Sequence, residues 1–172
     1  MSAESLFAIV VLLGLLGIAV VGDLRNHRIP NLLVLLGLGL GLAGQVYSAE
    51  LAGLGYGVLG MVIGFTVFIP MYALGGMAAG DVKLMAMVCS FLAPPEALSA
   101  ALLSLIAGGV CGMLIVLLRG QLKQTLERYW LILTAQAYFA PKTDEVAGKP
   151  FPYSVAILSG TIVSLFWQPL GL

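Results

Sequence analysis

Apolar residues run through this chain in stretches of bilayer-spanning length, separated by short polar breaks. In lipid every backbone N–H and C=O must find its partner inside the protein, which leaves only helices or a closed barrel. The runs are continuous rather than alternating, so helices are expected. Composition agrees: 60% of residues are hydrophobic and 9% charged, where soluble domains carry roughly 25% charge. The sequence therefore reads as an all-α polytopic membrane protein, a single membrane-embedded domain over residues 1–172. Its formal net charge is zero, so no nucleic-acid partner is expected and the lipid bilayer is its first partner.

Six spans are expected, over about 5–22, 31–47, 53–74, a fourth ending at Ala93 before Pro94-Pro95, 97–118 and 152–167. Pro30 suits the start of the second. The fourth raises a question of length. Residues 84–93 are about half of the ~20 that a bilayer requires. Either this helix starts near Gly75 or Gly76, or it starts late behind a re-entrant loop; both place its first acid near the interface. Met1-Ser-Ala-Glu has no basic n-region, so the first run is not expected to be a cleaved signal.

With six spans all eight Lys and Arg fall on one side: Arg25 and Arg28, then Lys83, then Arg119, Lys123, Arg128, Lys142 and Lys149. The other side holds Glu4, Glu50 and Glu96. The positive-inside rule makes the basic side cytoplasmic and places both termini outside. The fifth loop, about 119–150, is long, and Leu122, Leu126, Tyr129, Leu133 and Ala137 follow helical spacing, as in an amphipathic helix lying on the cytoplasmic surface. Its apolar part, 129–140, is too short to span comfortably. Glycines recur four apart at Gly37/Gly41, Gly53/Gly57, Gly60/Gly64 and Gly108/Gly112, a spacing that lets membrane helices approach closely. Cys89 and Cys111 lie in apolar runs and read as small buried hydrophobes. With a single histidine, His27, a zinc site has little support, and neither metal nor organic cofactor is expected.

Two acids need a reason. Asp23, in Gly-Asp-Leu-Arg-Asn-His-Arg-Ile-Pro-Asn, and Asp81, in Gly-Gly-Met-Ala-Ala-Gly-Asp-Val-Lys, each sit at the edge of an apolar segment. An ionisable group there is expensive and marks a functional site by default. The six-span parity brings both to the cytoplasmic face. Two carboxyl groups held close share a proton. The ionised one can take a proton from water while the protonated one donates to a peptide carbonyl. Ala78, Ala79 and Gly80 would let a peptide backbone pass close to Asp81. On spacing alone an equally available reading makes both acids helix-end residues, paired with Arg25 or Arg28 and with Lys83. Lys83 reads first as a snorkelling interface lysine, with a substrate acid or Asp81 as alternative partners. Arg25 and Arg28 read as anchors to lipid phosphate or as substrate contacts, His27 as a solvated loop residue, and Asn31 as a cap or loop-orienting residue.

These two motifs, Asp23-Leu-Arg…Arg28-Ile-Pro-Asn31 and Gly75-Gly-Met-Ala-Ala-Gly-Asp81-Val-Lys-Leu84, closely resemble those of the type IV prepilin peptidases, the GxGD membrane aspartyl proteases. Pro152-Tyr-Ser-Val-Ala-Ile157…Gly160 resembles that family's last span. The resemblance implies cleavage of a short basic leader from pilin-like precursors, beside an apolar segment, at the cytoplasmic face of a bacterial inner membrane. It makes Asp23 and Asp81 the catalytic pair; from the residues themselves, Ala78, Ala79, Gly80, Lys83, Arg25 and Asn31 are the ones expected to bind substrate or support the site. Two features depart from the pattern. Ala78 replaces the first glycine of GxGD. The paired Cys-x-x-Cys region of the larger members is also missing, which leaves N-methylation without support and makes the chain more similar to the small peptidases of Flp (Tad/Cpa) pilus systems. Two other classes of function fit the residues without the resemblance: a proton- or ion-coupled carrier, and a non-catalytic scaffold of a pilus or secretion machine.

Overall fold

A computed structural model describes residues 3–118, 120, 123 and 152–166. Among the described residues the chain is all helical, with α1 (Ala3–Asn26), α2 (Asn31–Ala73), α3 (Ala79–Ser90), α4 (Pro94–Leu118) and α5 (Tyr153–Phe166). Three of them, α1, α2 and α4, are long and apolar enough to cross a membrane. Large apolar side chains such as Phe7, Leu32, Leu51, Ile106 and Leu118 point outward. An apolar exterior of this extent belongs in lipid. This is a membrane protein. The loop expected to carry an amphipathic helix, 119–150, lies almost wholly outside the described residues.

Among the described residues five helices stand where six spans were expected, because the second and third runs form one element. α2 has 43 residues, about 65 Å of helix at 1.5 Å per residue, against a hydrocarbon core of about 30 Å. It is broken at Ala49 (φ −146°) and Glu50 (φ 52°). The arms 31–48 and 51–73 fold back on each other: a Cβ on Gly53 would strike the Gln45 carbonyl, and one on Gly57 would meet the Leu42 side chain. The turn between them falls in the gap, 48–52, expected between the second and third spans, although it contains neither proline nor glycine.

α3 is the centre of the fold. From Leu84 to Ser90 every residue is buried, and a helix that is apolar all round must be enclosed. Both arms of α2 enclose it through the glycines. Gly37 faces Met87, Gly41 faces Ser90 and Phe91, and Gly60 and Gly64 face Cys89 and the α3 backbone. The Gln45 side-chain amide donates to the Phe91 carbonyl at 3.0 Å, satisfying the end of α3. Cys89 is buried and Cys111 half-buried, and both are free thiols. α4 and α5 pair in the same close-packed manner, with Gly160 against the Ser104 backbone and Gly108 against the Tyr153 ring. Gly112, expected to act with Gly108, faces open space.

These contacts predict a contrast in stability. Gly60→Ala and Gly160→Ala each push a methyl into backbone atoms of the neighbouring helix, and each is expected to lower stability by about 1–3 kcal/mol. Gly39→Ala enters open space and is expected to raise it by about 0.5–1 kcal/mol. Thermal unfolding in detergent measures all three. A Gly160→Ala protein as heat-stable as the parent would contradict the α4–α5 packing.

Candidate active site

The first acid is held by a helix end. α1 runs one turn past the apolar segment that was expected to end it at Gly22, so Asp23 and Arg25 are helical rather than part of a loop. Arg25 in the last turn complements the negative end of the helix dipole. The helix closes at His27, whose φ of 48° is left-handed and whose N–H bonds the Asp23 carbonyl at 2.8 Å. That closure fixes the backbone of Asp23. Its side chain points inward, 7% exposed. There the hydroxyl of the fully buried Ser154, on α5, donates to Asp23 Oδ2 at 2.6 Å.

The second acid is held by a helix start. Of the two starts open to the fourth run, the later is the one observed. A short turn precedes α3, which begins at Ala79 and is about 18 Å long for its 12 residues. Asp81 lies in the first turn, where the dipole favours a negative charge. It is 4% exposed. Its Oδ2 accepts from the Ala78 N–H at 3.0 Å, satisfying a backbone group at the helix entry. Ala78 has φ −84°, a conformation open to any residue. Alanine in place of the motif's first glycine therefore costs no backbone strain here.

The two carboxylates, on helices far apart in the chain, face one cavity of about 240 Å³. Asp23 lies close enough for its charge to act on Asp81. Asn31, Ala78, Gly80 and Lys83 share the lining, as do His27, Arg28 and Ile29. Lys83 Nζ donates to Asn31 Oδ1 at 3.3 Å, bridging α3 and α2 across the rim. Asn31 thus ties two helices together; it does not cap α2, whose N-cap is Pro30 without a side-chain bond. Two residues expected at the site do not line the cavity: Arg25 and Ala79 are both exposed and face elsewhere. The spacing reading that paired the acids with basic side chains does not describe their hydrogen bonds, which come from a serine hydroxyl and a backbone amide. Ser154 was not among the expected site residues. A serine inside an apolar helix is an ordinary packing residue, and its partner lies 131 positions away.

Among the described residues each carboxylate uses one oxygen in these bonds, which leaves the other for a ligand in the cavity. Liquid water takes about 30 Å³ per molecule, so the space is large enough for several water molecules.

A family model, the type IV leader peptidase family, matches residues 10–113. The chain belongs to that family. The match takes in both aspartates, the whole of α2 and α3 and most of α4. Comparison with curated proteins and with solved structures gives no match. Membership of the type IV leader peptidase family carries a leader-peptidase activity of the aspartic type and, in general terms, a pilin-like peptide as substrate.

Proposed function

We propose that this protein is a prepilin peptidase in which Asp23 and Asp81 are the catalytic pair. The observation that carries the reading is the convergence of two buried carboxylates on one small cavity. In the mechanism one carboxylate is ionised and the other protonated. The ionised group takes a proton from water as its oxygen attacks the scissile carbonyl carbon, and the protonated group donates to the carbonyl oxygen. The carbon–nitrogen bond then breaks as the carboxyl that took the water's proton gives it to the leaving amine and the other carboxylate takes a proton back from a hydroxyl of the tetrahedral intermediate, which restores the pair to one shared proton. Ala78 and Gly80 keep the cavity wall low beside Asp81, so an extended backbone can reach it. The Ala78 N–H and the Ser154 hydroxyl hold the two carboxylates in place. Incubation of the purified protein with a pilin-like precursor in detergent tests the reading: release of the leader supports it, and an intact precursor with well-folded protein contradicts it.

The orientation that goes with this mechanism has six crossings: α1, the two arms of α2, α3 with the turn before it, α4 and α5. The catalytic cavity then opens to the cytoplasm of a bacterial cell, and both termini lie on the far side of the inner membrane. The one-sided distribution of basic residues supports it. A single cysteine at position 26 is expected to react with an impermeant maleimide only from the cytoplasm, and one at position 48, beside the α2 kink, only from outside. Labelling of both from the same side would contradict the hairpin as two crossings.

A further inference from the structure

The meeting of the two acids depends on how two pairs of helices are set against each other. α3, which carries Asp81, is gripped by the arms of α2, and α4 pairs with α5, whose Ser154 holds Asp23. The pairs meet where α4 packs against α2 and α3, and α5 against α3. An aromatic contact crosses this seam. The ring of Tyr153, the first residue of α5, stands edge-on to the ring of Phe68 in the second arm of α2, with centroids 6.0 Å apart and planes at 87°. Aromatic rings prefer this arrangement. Phe68 is fully buried and Tyr153 is buried. Tyr153 also lies on Gly108 of α4, where a methyl would overlap the phenol ring and its oxygen.

Tyr153 directly precedes Ser154, so the seat of its ring fixes the backbone that brings the Ser154 hydroxyl to Asp23. Asp81 lies near enough for its charge to act on Tyr153. The ring is thus close to both acids, yet none of Phe68, Gly108 and Tyr153 lines the catalytic cavity. We propose that Phe68, Tyr153 and Gly108 form a positioning joint, which sets the α2–α3 pair against the α4–α5 pair and so brings Asp23 and Asp81 to their working separation. This rests on the peptidase reading and adds to it three residues that act on the acids without touching substrate. Close-packed interiors transmit strain rather than absorb it. A misplacement of ~1 Å at a distance from the chemistry can cost about 100-fold in rate.

Gly108→Ala is expected to lower kcat for a pilin-like precursor roughly 10–100-fold. KM should stay within about twofold, because no substrate contact is changed. Gly60→Ala, which loads the α2–α3 contact instead, is the control for lost stability and should keep kcat within about twofold. A double-mutant cycle separates positioning from packing. If the joint acts through Ser154, adding Ser154→Ala to Gly108→Ala costs less than about threefold more, because the hydroxyl is already misdirected. Two losses that multiply would overturn the proposal, as would parental kcat in Gly108→Ala. Where Gly108→Ala does not fold, Phe68→Leu takes its place in the same cycle with the same expectations; it keeps most of the apolar volume and removes the ring.

A distance measurement requires no cleavage. Nitroxides at positions 26 and 79, both exposed, report by electron spin resonance the separation between the end of α1 and the start of α3, in a Cys89→Ala, Cys111→Ala background. Gly108→Ala is expected to shift or broaden that separation by about 1 Å or more, while Gly60→Ala leaves it as in the parent. An unchanged separation in Gly108→Ala would overturn the proposal. If the parent protein cuts no precursor, the peptidase reading fails by itself, and the spin-label separation still decides whether the joint sets the two helix ends.

Discussion

Purified Asp23→Asn and Asp81→Asn proteins are each expected to insert and fold like the parent and to cleave a pilin-like precursor roughly 10³-fold more slowly, within the 10²–10⁴ range of general acid–base catalysis. The fold should survive because asparagine keeps the size and one acceptor oxygen. The Asn at position 23 can still accept from the Ser154 hydroxyl, and the one at position 81 from the Ala78 amide. The chemistry should not survive, because a carboxamide neither takes a proton from water nor gives one to a carbonyl. Helical content and thermal unfolding would be measured beside leader release. Normal processing by either variant would sink the assignment of that residue.

Ser154→Ala carries the next largest effect. Its hydroxyl holds one Asp23 oxygen from a fully buried position. Hydrogen bonds to charged groups contribute about 1.5–3 kcal/mol, and loss of that contribution to orientation corresponds to roughly 10–100-fold in kcat. Ser154 is a positioning residue, so KM for the precursor should stay within about twofold, since substrate affinity does not depend on which way Asp23 is turned. Ser154→Thr keeps the hydroxyl and should restore most of the rate. A Thr variant as slow as the Ala variant, with an equally lowered unfolding temperature, would show that position 154 matters only for packing.

Much of this site can be read from the chain because charge is scarce in it. An acid at the edge of an apolar run is costly, so Asp23 and Asp81 stand out. Most of the glycine pairs were also informative, since only small residues let α2 grip α3 and α4 meet α5. What the sequence hid has physical causes. The extra turn of α1 is built from polar residues that a hydropathy reading assigns to a loop, although helix formation tolerates them. The α2 break falls inside the expected 48–52 gap, but Ala49 and Glu50 are not turn-forming residues, so the tight return of one arm on the other was not legible. Ala79 sits between two residues that line the cavity, Ala78 and Gly80, but lies outside the lining itself, a difference set by where the helix begins. Ser154 acquires its role only when α5 is brought against α1. The stretch around it was legible as a resemblance, but that alone did not say that Ser154 meets Asp23.

The claim on which the rest depends is that Asp23 and Asp81 act on one water as a unit. A double-mutant cycle tests it most directly, with single-turnover leader release measured for the parent, Asp23→Asn, Asp81→Asn and the double variant. Residues that work as a unit lose nearly everything when either is removed, so their losses do not multiply. The account predicts that the double variant is no slower than either single variant, within about threefold. A double variant slowed by the product of the two single losses would show two carboxylates acting independently, and would contradict the shared mechanism.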